Sequence, residues 1–219
     1  MVENPISGSR RGRPPIMGAD ERRAAVLEAA IEVFAEDGIH GAAMDRIARH
    51  AGVAKASCYE VFPSKDDLFA EAVVEADARL DAALAIARRE ASDLPGRARM
   101  QRRYAAVFDF AREYPASFRL LTLSWFHRGD DVAETNALSR VLIVDRLAAD
   151  IRGEAKGSAM SDLGLDRVLA SVLFGIAGGA LRAVVDDPML DPRLVVDLLT
   201  DFTIGGLERL GADFTEDER

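Results

Sequence analysis

The chain has 219 residues, of which 49% are hydrophobic and 30% are charged, and its formal net charge is −9 at pH 7. This composition excludes a disordered chain, and the single cysteine excludes a disulfide scaffold and suits a reducing cytosol. Helix-favouring alanine, leucine, arginine and acidic residues dominate without the alternation typical of strands, so we expect an all-α fold.

The charge is distributed unevenly along the chain. Residues 1–65 hold nine basic and nine acidic residues, whereas residues 66–219 carry the whole net charge of −9. The acidity could simply aid solubility, or it could keep the second part of the chain away from an anionic partner. In either case the first 65 residues are the part that can approach nucleic acid.

Residues 1–18 are expected to form a flexible basic arm, because proline and glycine interrupt them. Their polar character also indicates that no signal peptide is present, which predicts a cytoplasmic protein. The Arg-Gly-Arg-Pro sequence of this arm could enter the minor groove of A·T-rich DNA, or it could add only non-specific attraction to phosphates. The candidate DNA-binding residues of the arm are Arg10, Arg11 and Arg13.

The first long helix is predicted to start at a cap on Asp20 and to stop at Gly38. Met44 to Ala51 then places apolar residues at helical spacing, and Gly52 supplies a sharp turn. A second short helix follows from Lys55 to Phe62. Two short helices joined in this way form a helix-turn-helix, in which the second helix enters the DNA major groove.

This segment resembles the DNA-binding domain of the tetracycline-repressor (TetR) family of bacterial transcriptional regulators. The resemblance covers about residues 19–70 and implies an N-terminal three-helix helix-turn-helix domain over 19–65. It also implies a C-terminal helical ligand-binding and dimerisation domain over 66–211, followed by an acidic tail over 212–219. The residues that carry it are Val26, Leu27, Ala30, Val33, Phe34, Gly38, Ile47, Ala48, Ala51, Gly52, Val53, Tyr59, Phe62, Pro63, Ser64, Lys65 and Leu68.

By the same resemblance, Tyr59 and Lys65 match positions that contact the DNA backbone, although Tyr59 could instead be a packed structural aromatic. Ala43 departs from the threonine or serine common there. Glu60 could accept a hydrogen bond from cytosine, but we favour an ion pair with Arg46 or Arg49. Cys58 is expected to be a small buried residue. The candidate DNA-binding residues of the head are Ala43, Met44, Ala54, Lys55, Ala56, Ser57, Tyr59, Glu60 and Lys65.

Five or six further helices are expected beyond the head. Ser64 is predicted to cap the first of them and Asp191 the last. The uncharged run 168–181 is judged too short to span a bilayer, so no membrane partner is expected. The expected helices cover about residues 65–92, 97–114, 115–128, 129–151, 162–185 and 192–210.

Aromatic residues are concentrated in the middle of the chain, since Tyr104 to Phe126 contains seven of the fourteen. They could form a plain core, but we interpret them as the wall of a pocket for a largely apolar small molecule. His127, Arg119 and Asp109 are the nearby candidates for polar anchors. The candidate ligand-binding residues are Tyr104, Phe108, Phe118, Thr122, Trp125, Phe126, His127 and Phe174.

The last two helices are apolar on more than one side, which predicts burial on more than one side. They could belong to a monomeric core. The family resemblance instead implies that they build a homodimer interface, where glycines allow close approach. The candidate interface residues are Val172, Gly175, Ile176, Gly179, Leu198, Phe202 and Gly205.

No catalytic, metal-binding or nucleotide-binding motif is found, so neither an enzyme nor a cofactor is expected. The predicted function is a DNA-binding transcriptional regulator, a repressor released from a near-palindromic double-stranded operator by a small, largely apolar effector. One alternative is a constitutive or architectural DNA-binding protein without an effector. A second alternative is a ligand carrier or scaffold that does not bind DNA. Tyr59, Lys65 and the basic arm together argue against it.

Overall fold

The computed structural model describes residues 17–126, 133–154, 164–187 and 189–209. These residues form nine α-helices and no β-strand, which confirms the all-α prediction for the described part of the chain. The helices are α1 (Ala19–Gly41), α2 (Met44–His50), α3 (Lys55–Val61), α4 (Lys65–Glu90), α5 (Gly96–Glu113), α6 (Pro115–Phe126), α7 (Ala133–Glu154), α8 (Asp166–Asp186) and α9 (Pro192–Arg209).

Helix α1 differs from its prediction at the N-terminal cap and breaks at the predicted glycine. Gly18, not Asp20, is the N-cap residue, and its backbone N–H donates to the Glu21 carboxylate at 3.0 Å. Gly38 interrupts the helix where the sequence predicted a stop, because its φ of 68° and ψ of 174° are not helical. A further helical turn follows this kink and reaches Gly41.

The head consists of α1, α2 and α3 packed around one apolar cluster, with Phe34, Ile47 and Phe62 at its centre. The same cluster continues into α4, α5 and α6, because α1 packs along both α4 and α6. The predicted cap of α4 is confirmed, since Ser64 Oγ accepts from the Asp67 backbone N–H at 3.0 Å. The head is therefore held directly against the body of the molecule.

A second apolar cluster joins α5, α7, α8 and α9 around Ala148, Leu173 and Leu199. The predicted cap of α9 is also confirmed, because Asp191 accepts from the Arg193 backbone N–H at 2.9 Å. The C-terminal part of the chain is thus a helical domain that follows the helix-turn-helix.

Helix α8 corrects the expectation about membrane-spanning length. The helix continues past Arg182 to Asp186, and its 21 residues are long and apolar enough to cross a membrane by length and composition alone. Its most apolar 18-residue window has a mean hydropathy of 2.0 and is only 17% buried. This helix therefore leaves a large apolar face uncovered in the single chain.

Candidate DNA-binding surface and ligand cavity

The turn between α2 and α3 is built by Gly52, whose φ of 69° places it in the left-handed region. Its neighbour Val53 donates its backbone N–H to Ala48 at 3.0 Å, which folds α3 back across α2. Buried Cys58 anchors the inner side of α3. The opposite side of α3 is consequently presented to solvent, as reading of a DNA groove requires.

The surface of α3 agrees in large part with the residues predicted to face DNA. Tyr59 is 45% exposed, which argues against a packed structural aromatic. Met44 does not fit, because its side chain is 6% exposed and packs in the core of the head. Arg10, Arg11 and Arg13 lie outside the described residues. The predicted residues with exposed side chains are Ala43, Ala54, Lys55, Ala56, Tyr59 and Glu60, while Ser57 is half-buried.

Both charged residues on the surface of α3 are held by partners within the head. Lys55 Nζ lies 3.0 Å from the Asp45 carboxylate, which raises the pKa of Lys55. Glu60 accepts from Arg22 Nη1 at 2.6 Å, so an internal ion pair is confirmed but the predicted partner is wrong. Arg46 faces the other way and pairs with Glu36 and Asp37 of α1.

Lys65 lies at the junction of α4 and the head. Its ammonium donates to the Ala42 backbone oxygen at 3.3 Å and is half-buried there. Ala43, the N-cap residue of α2, offers no side-chain cap. The lysine therefore lies beside the start of α2, and a positive charge at that place suits contact with a phosphate.

A cavity of about 140 Å³ lies in the C-terminal domain between α4, α5, α6, α7 and α8. Its walls are mainly apolar, and charged groups from α4 and α7 lie along one side. The lining residues are Asp77, Leu80, Asp81, Leu84, Arg88, Met100, Arg103, Tyr104, Val107, Trp125, Ile143, Arg146, Leu147, Asp150, Leu173, Phe174, Ala177, Gly178 and Leu181.

Three of the residues predicted to bind a ligand, Tyr104, Trp125 and Phe174, line this cavity. The Trp125 and Phe174 rings meet edge to face with centroids 5.1 Å apart. Three further predicted residues do not line it. Phe118 is buried in the core, Thr122 donates its hydroxyl to Arg119 of its own helix, and Phe108 faces a separate groove against α9.

Of the predicted polar anchors, His127 lies outside the described residues, and nothing is described of the Phe126 side chain. Asp109 faces the groove against α9, and Arg119 is exposed. The polar groups that do line the cavity come from α4, α5 and α7. Their sequence signal is weak, because charged residues on long helices are usually solvated.

Ion pairs between α4 and α7 run along the charged side of the cavity. Arg146 Nη1 lies 3.5 Å from Asp77 Oδ2 and 3.3 Å from Asp81 Oδ1. Arg88 Nη1 lies 3.4 Å from Asp150 Oδ2. Asp77 is a buried carboxylate, so the guanidinium of Arg146 offsets part of the cost of removing that charge from water. These pairs hold α7 against α4.

The outer faces of α8 and α9 form an exposed apolar surface. Of the predicted interface residues, Val172, Leu198 and Phe202 are between 48% and 67% exposed. A Cβ atom added at Gly175, Gly179 or Gly205 would have no neighbouring atom within 4 Å. Ile176 is instead partly buried against the core of its own chain. Exposed apolar surface of this kind is typical of sites that contact another protein or a membrane.

Within the described part of the chain, no group of three or more histidine, cysteine or acidic residues could hold a metal ion.

Comparison with known proteins shows related regulators. Residues 26–72 match the family model described as bacterial regulatory proteins, tetR family. The transcriptional activator FasR of Mycolicibacterium smegmatis is 30% identical over 213 residues, which cover 95% of this chain and 92% of FasR.

Solved structures share the fold along most of the chain. A TetR-like regulator from Rhodococcus sp. RHA1 aligns with a TM-score of 0.69 and 25% identity, over 90% of this chain and 99% of that one. The regulator FadR from Bacillus subtilis, in complex with stearoyl-CoA, aligns with a TM-score of 0.67 and 15% identity, over 84% and 98%.

Proposed function

Because the chain belongs to the TetR family of bacterial transcriptional regulators and is therefore a DNA-binding regulator, we propose that its DNA binding is controlled by a ligand. The homodimer binds a near-palindromic operator in the cytoplasm. An elongated apolar molecule entering the cavity between α4 and α7 releases it. The observation that carries this proposal is that α4 begins at the head with Lys65 and lines the cavity with Asp77, Asp81 and Arg88.

The size of the cavity supports a mechanism in which the ligand separates α4 from α7. At about 140 Å³ it is smaller than the roughly 300–1,000 Å³ of typical ligand pockets. An elongated ligand can then fit if α4 and α7 separate, which breaks the pairs made by Arg146 and Arg88. A ligand that prefers the separated arrangement about 100-fold supplies about 2.7 kcal/mol per site against operator binding.

The chemistry of the walls supports a long hydrocarbon chain as the ligand portion inside the cavity. Leucine, valine, isoleucine and aromatic side chains surround it, and the neighbouring charges are paired with each other. FadR from Bacillus subtilis binds stearoyl-CoA on a similar fold. A long-chain acyl compound is therefore the ligand class that we propose.

The proposed dimer rests on the exposed apolar faces of α8 and α9. Pairing these faces between two chains would bury them without membrane contact. It would also place two α3 helices on one DNA molecule, about 34–36 Å apart on successive major grooves.

Operator binding titrated with stearoyl-CoA tests the proposal, with acetyl-CoA as the matched control that lacks the long chain. The operator is first selected from random duplex DNA with the full-length protein. Stearoyl-CoA should release it and change the emission of Trp125, the single tryptophan, whereas acetyl-CoA should do neither. Operator binding that no long-chain compound alters would favour the alternative of a constitutive DNA-binding protein.

The direction of the effect on transcription follows from where the operator lies relative to its promoter. A repressor is the expectation from the sequence, and FasR is named an activator. A reporter gene driven by the native promoter, with and without the regulator, distinguishes the two, since loss of a repressor raises transcription and loss of an activator lowers it.

A further inference from the structure

The polar side chains of α2 fall into two rows that face different parts of the head. Arg46 and His50, four residues apart, both pair with carboxylates of α1. Asp45 and Arg49, also four residues apart, lie on the side where Asp45 meets Lys55 of α3. Because residues four apart share a helix face, Arg49 lies on the side of α2 next to the reading helix α3.

The cations of the head differ in how they are neutralised. Arg22, Arg23, Arg46 and Lys55 each form an ion pair with a carboxylate. Two lysine or arginine side chains among the described residues 17–65 have no carboxylate partner, namely Arg49 and Lys65.

The one hydrogen bond of Arg49 leaves most of its guanidinium unused. Its Nε donates to the Asp45 backbone oxygen at 3.3 Å, and the residue is exposed. The other three arginines among the described residues 17–65 are Arg22, Arg23 and Arg46, and each of them is paired with a carboxylate. A planar guanidinium with free N–H donors is the group that best matches a phosphate.

We propose that Arg49 is a DNA-contacting residue that binds a backbone phosphate beside the reading helix, with Lys65 as the second phosphate anchor at the other end of α2. This inference rests on the proposed operator binding, and it adds a residue outside α3 that fixes how the head sits on the duplex. Contacts to phosphates position a protein without reading sequence. Arg49 should therefore contribute equally to binding of any duplex.

The variant Arg49→Gln tests this inference, and Arg46→Gln is the matched control on the same helix. Both variants remove one positive charge from α2, but Arg46 is already neutralised by Glu36 and Asp37. Binding of the full-length protein is measured by fluorescence anisotropy at several salt concentrations. The two duplexes are the selected operator and an unrelated one.

The Arg49→Gln variant should lose affinity for both duplexes by the same factor. The plot of log binding constant against log salt concentration should become shallower, with its negative slope reduced in magnitude by about 0.9, which is the value for one phosphate contact. The Arg46→Gln variant should keep the wild-type slope.

An unchanged slope for Arg49→Gln, or a loss confined to the operator, would overturn the phosphate assignment while the proposed function stands. If the wild-type chain binds no duplex, the proposed function itself fails, and this inference fails with it. Thermal unfolding of both variants controls for stability, because an affinity loss that tracks a lower melting temperature would also count against the inference.

Discussion

The hydroxyl groups of Tyr104 on α5 and Thr203 on α9 lie 2.7 Å apart in a buried hydrogen bond. Tyr104 also lines the cavity, while Thr203 is the neighbour of Phe202 on the exposed apolar face. Burial raises the pKa of Tyr104, so its hydroxyl keeps its proton and can donate. One hydrogen bond therefore connects the cavity wall to the helix that carries the proposed dimer surface.

Replacing Tyr104 by phenylalanine should lower the free energy of unfolding by about 1–3 kcal/mol, because the buried Thr203 hydroxyl loses its partner. The double variant with Thr203→Val should recover most of the loss, since both polar groups are then absent. Urea unfolding of the three variants measures this. Additive losses in the double variant would show that the two hydroxyls do not act as a pair.

Replacing Asp45 by asparagine should strengthen binding to every duplex and steepen its salt dependence. Asp45 holds Lys55 in an ion pair, and without the carboxylate the ammonium is available to phosphates. The control is Glu32→Gln, which removes one negative charge on the other side of α2, next to His50. The same gain in both variants would mean that net charge, rather than release of Lys55, is responsible.

Replacing Arg146 by methionine should allow stearoyl-CoA to release the regulator from its operator at a lower concentration. Arg146 is 41% exposed, so each of its pairs contributes only about 0.2–1 kcal/mol. Losing about 1 kcal/mol should lower the stearoyl-CoA concentration for half-release of the operator by about fivefold. Arg167→Met, which breaks a pair with Asp145 away from the cavity lining, should leave that concentration unchanged. Equal responses of the two variants would contradict the proposed separation of α4 from α7.

Replacing Phe202 by glutamate should convert the proposed dimer into a monomer, because the exposed apolar face of α9 would acquire a charge. Analytical ultracentrifugation provides the measurement. Met189→Glu is the control, since that side chain is 90% exposed and precedes α9. A Phe202→Glu variant that sediments like the wild type would contradict the proposed dimer interface.

Cys58 should resist alkylation in the folded protein and react once urea unfolds it. Burial raises the pKa of this thiol above its ordinary value of 9.0. Above that pH the unfolded chain releases the proton while the folded chain retains it, so the stability present below pH 9.0 declines as the pH rises. Cys58→Ala should show a smaller decline in urea unfolding across that range. An identical decline would assign the effect to other groups, such as Tyr104.

The sequence was most informative about features that depend on residues close together in the chain. The caps at Ser64 and Asp191 depend on a side chain and a backbone N–H two or three residues away, and both are confirmed. Gly38 also interrupts α1 where a stop was predicted, whereas the cap predicted on Asp20 lies two residues earlier, on Gly18.

The cavity was predictable only in part, because its lining depends on how distant helices meet. Trp125 and Phe174 could be identified from their aromatic character. Asp77 and Arg146 could not, since they are 69 positions apart and each resembles an ordinary surface residue until α4 and α7 pack together. For the same reason the partner of Glu60 was predicted within α2 and is instead Arg22 of α1.

In the proposed mechanism, helix α4 would act as a lever between the cavity and the head. Its 26 residues give a rod about 39 Å long, and Asp77 lies about 18 Å along it from Lys65. A tilt of one degree about the cavity end would move the head end by about 0.3 Å. A tilt of only a few degrees would therefore displace Lys65 by about an ångström, and the same motion in the second subunit would double the change in distance between the two heads.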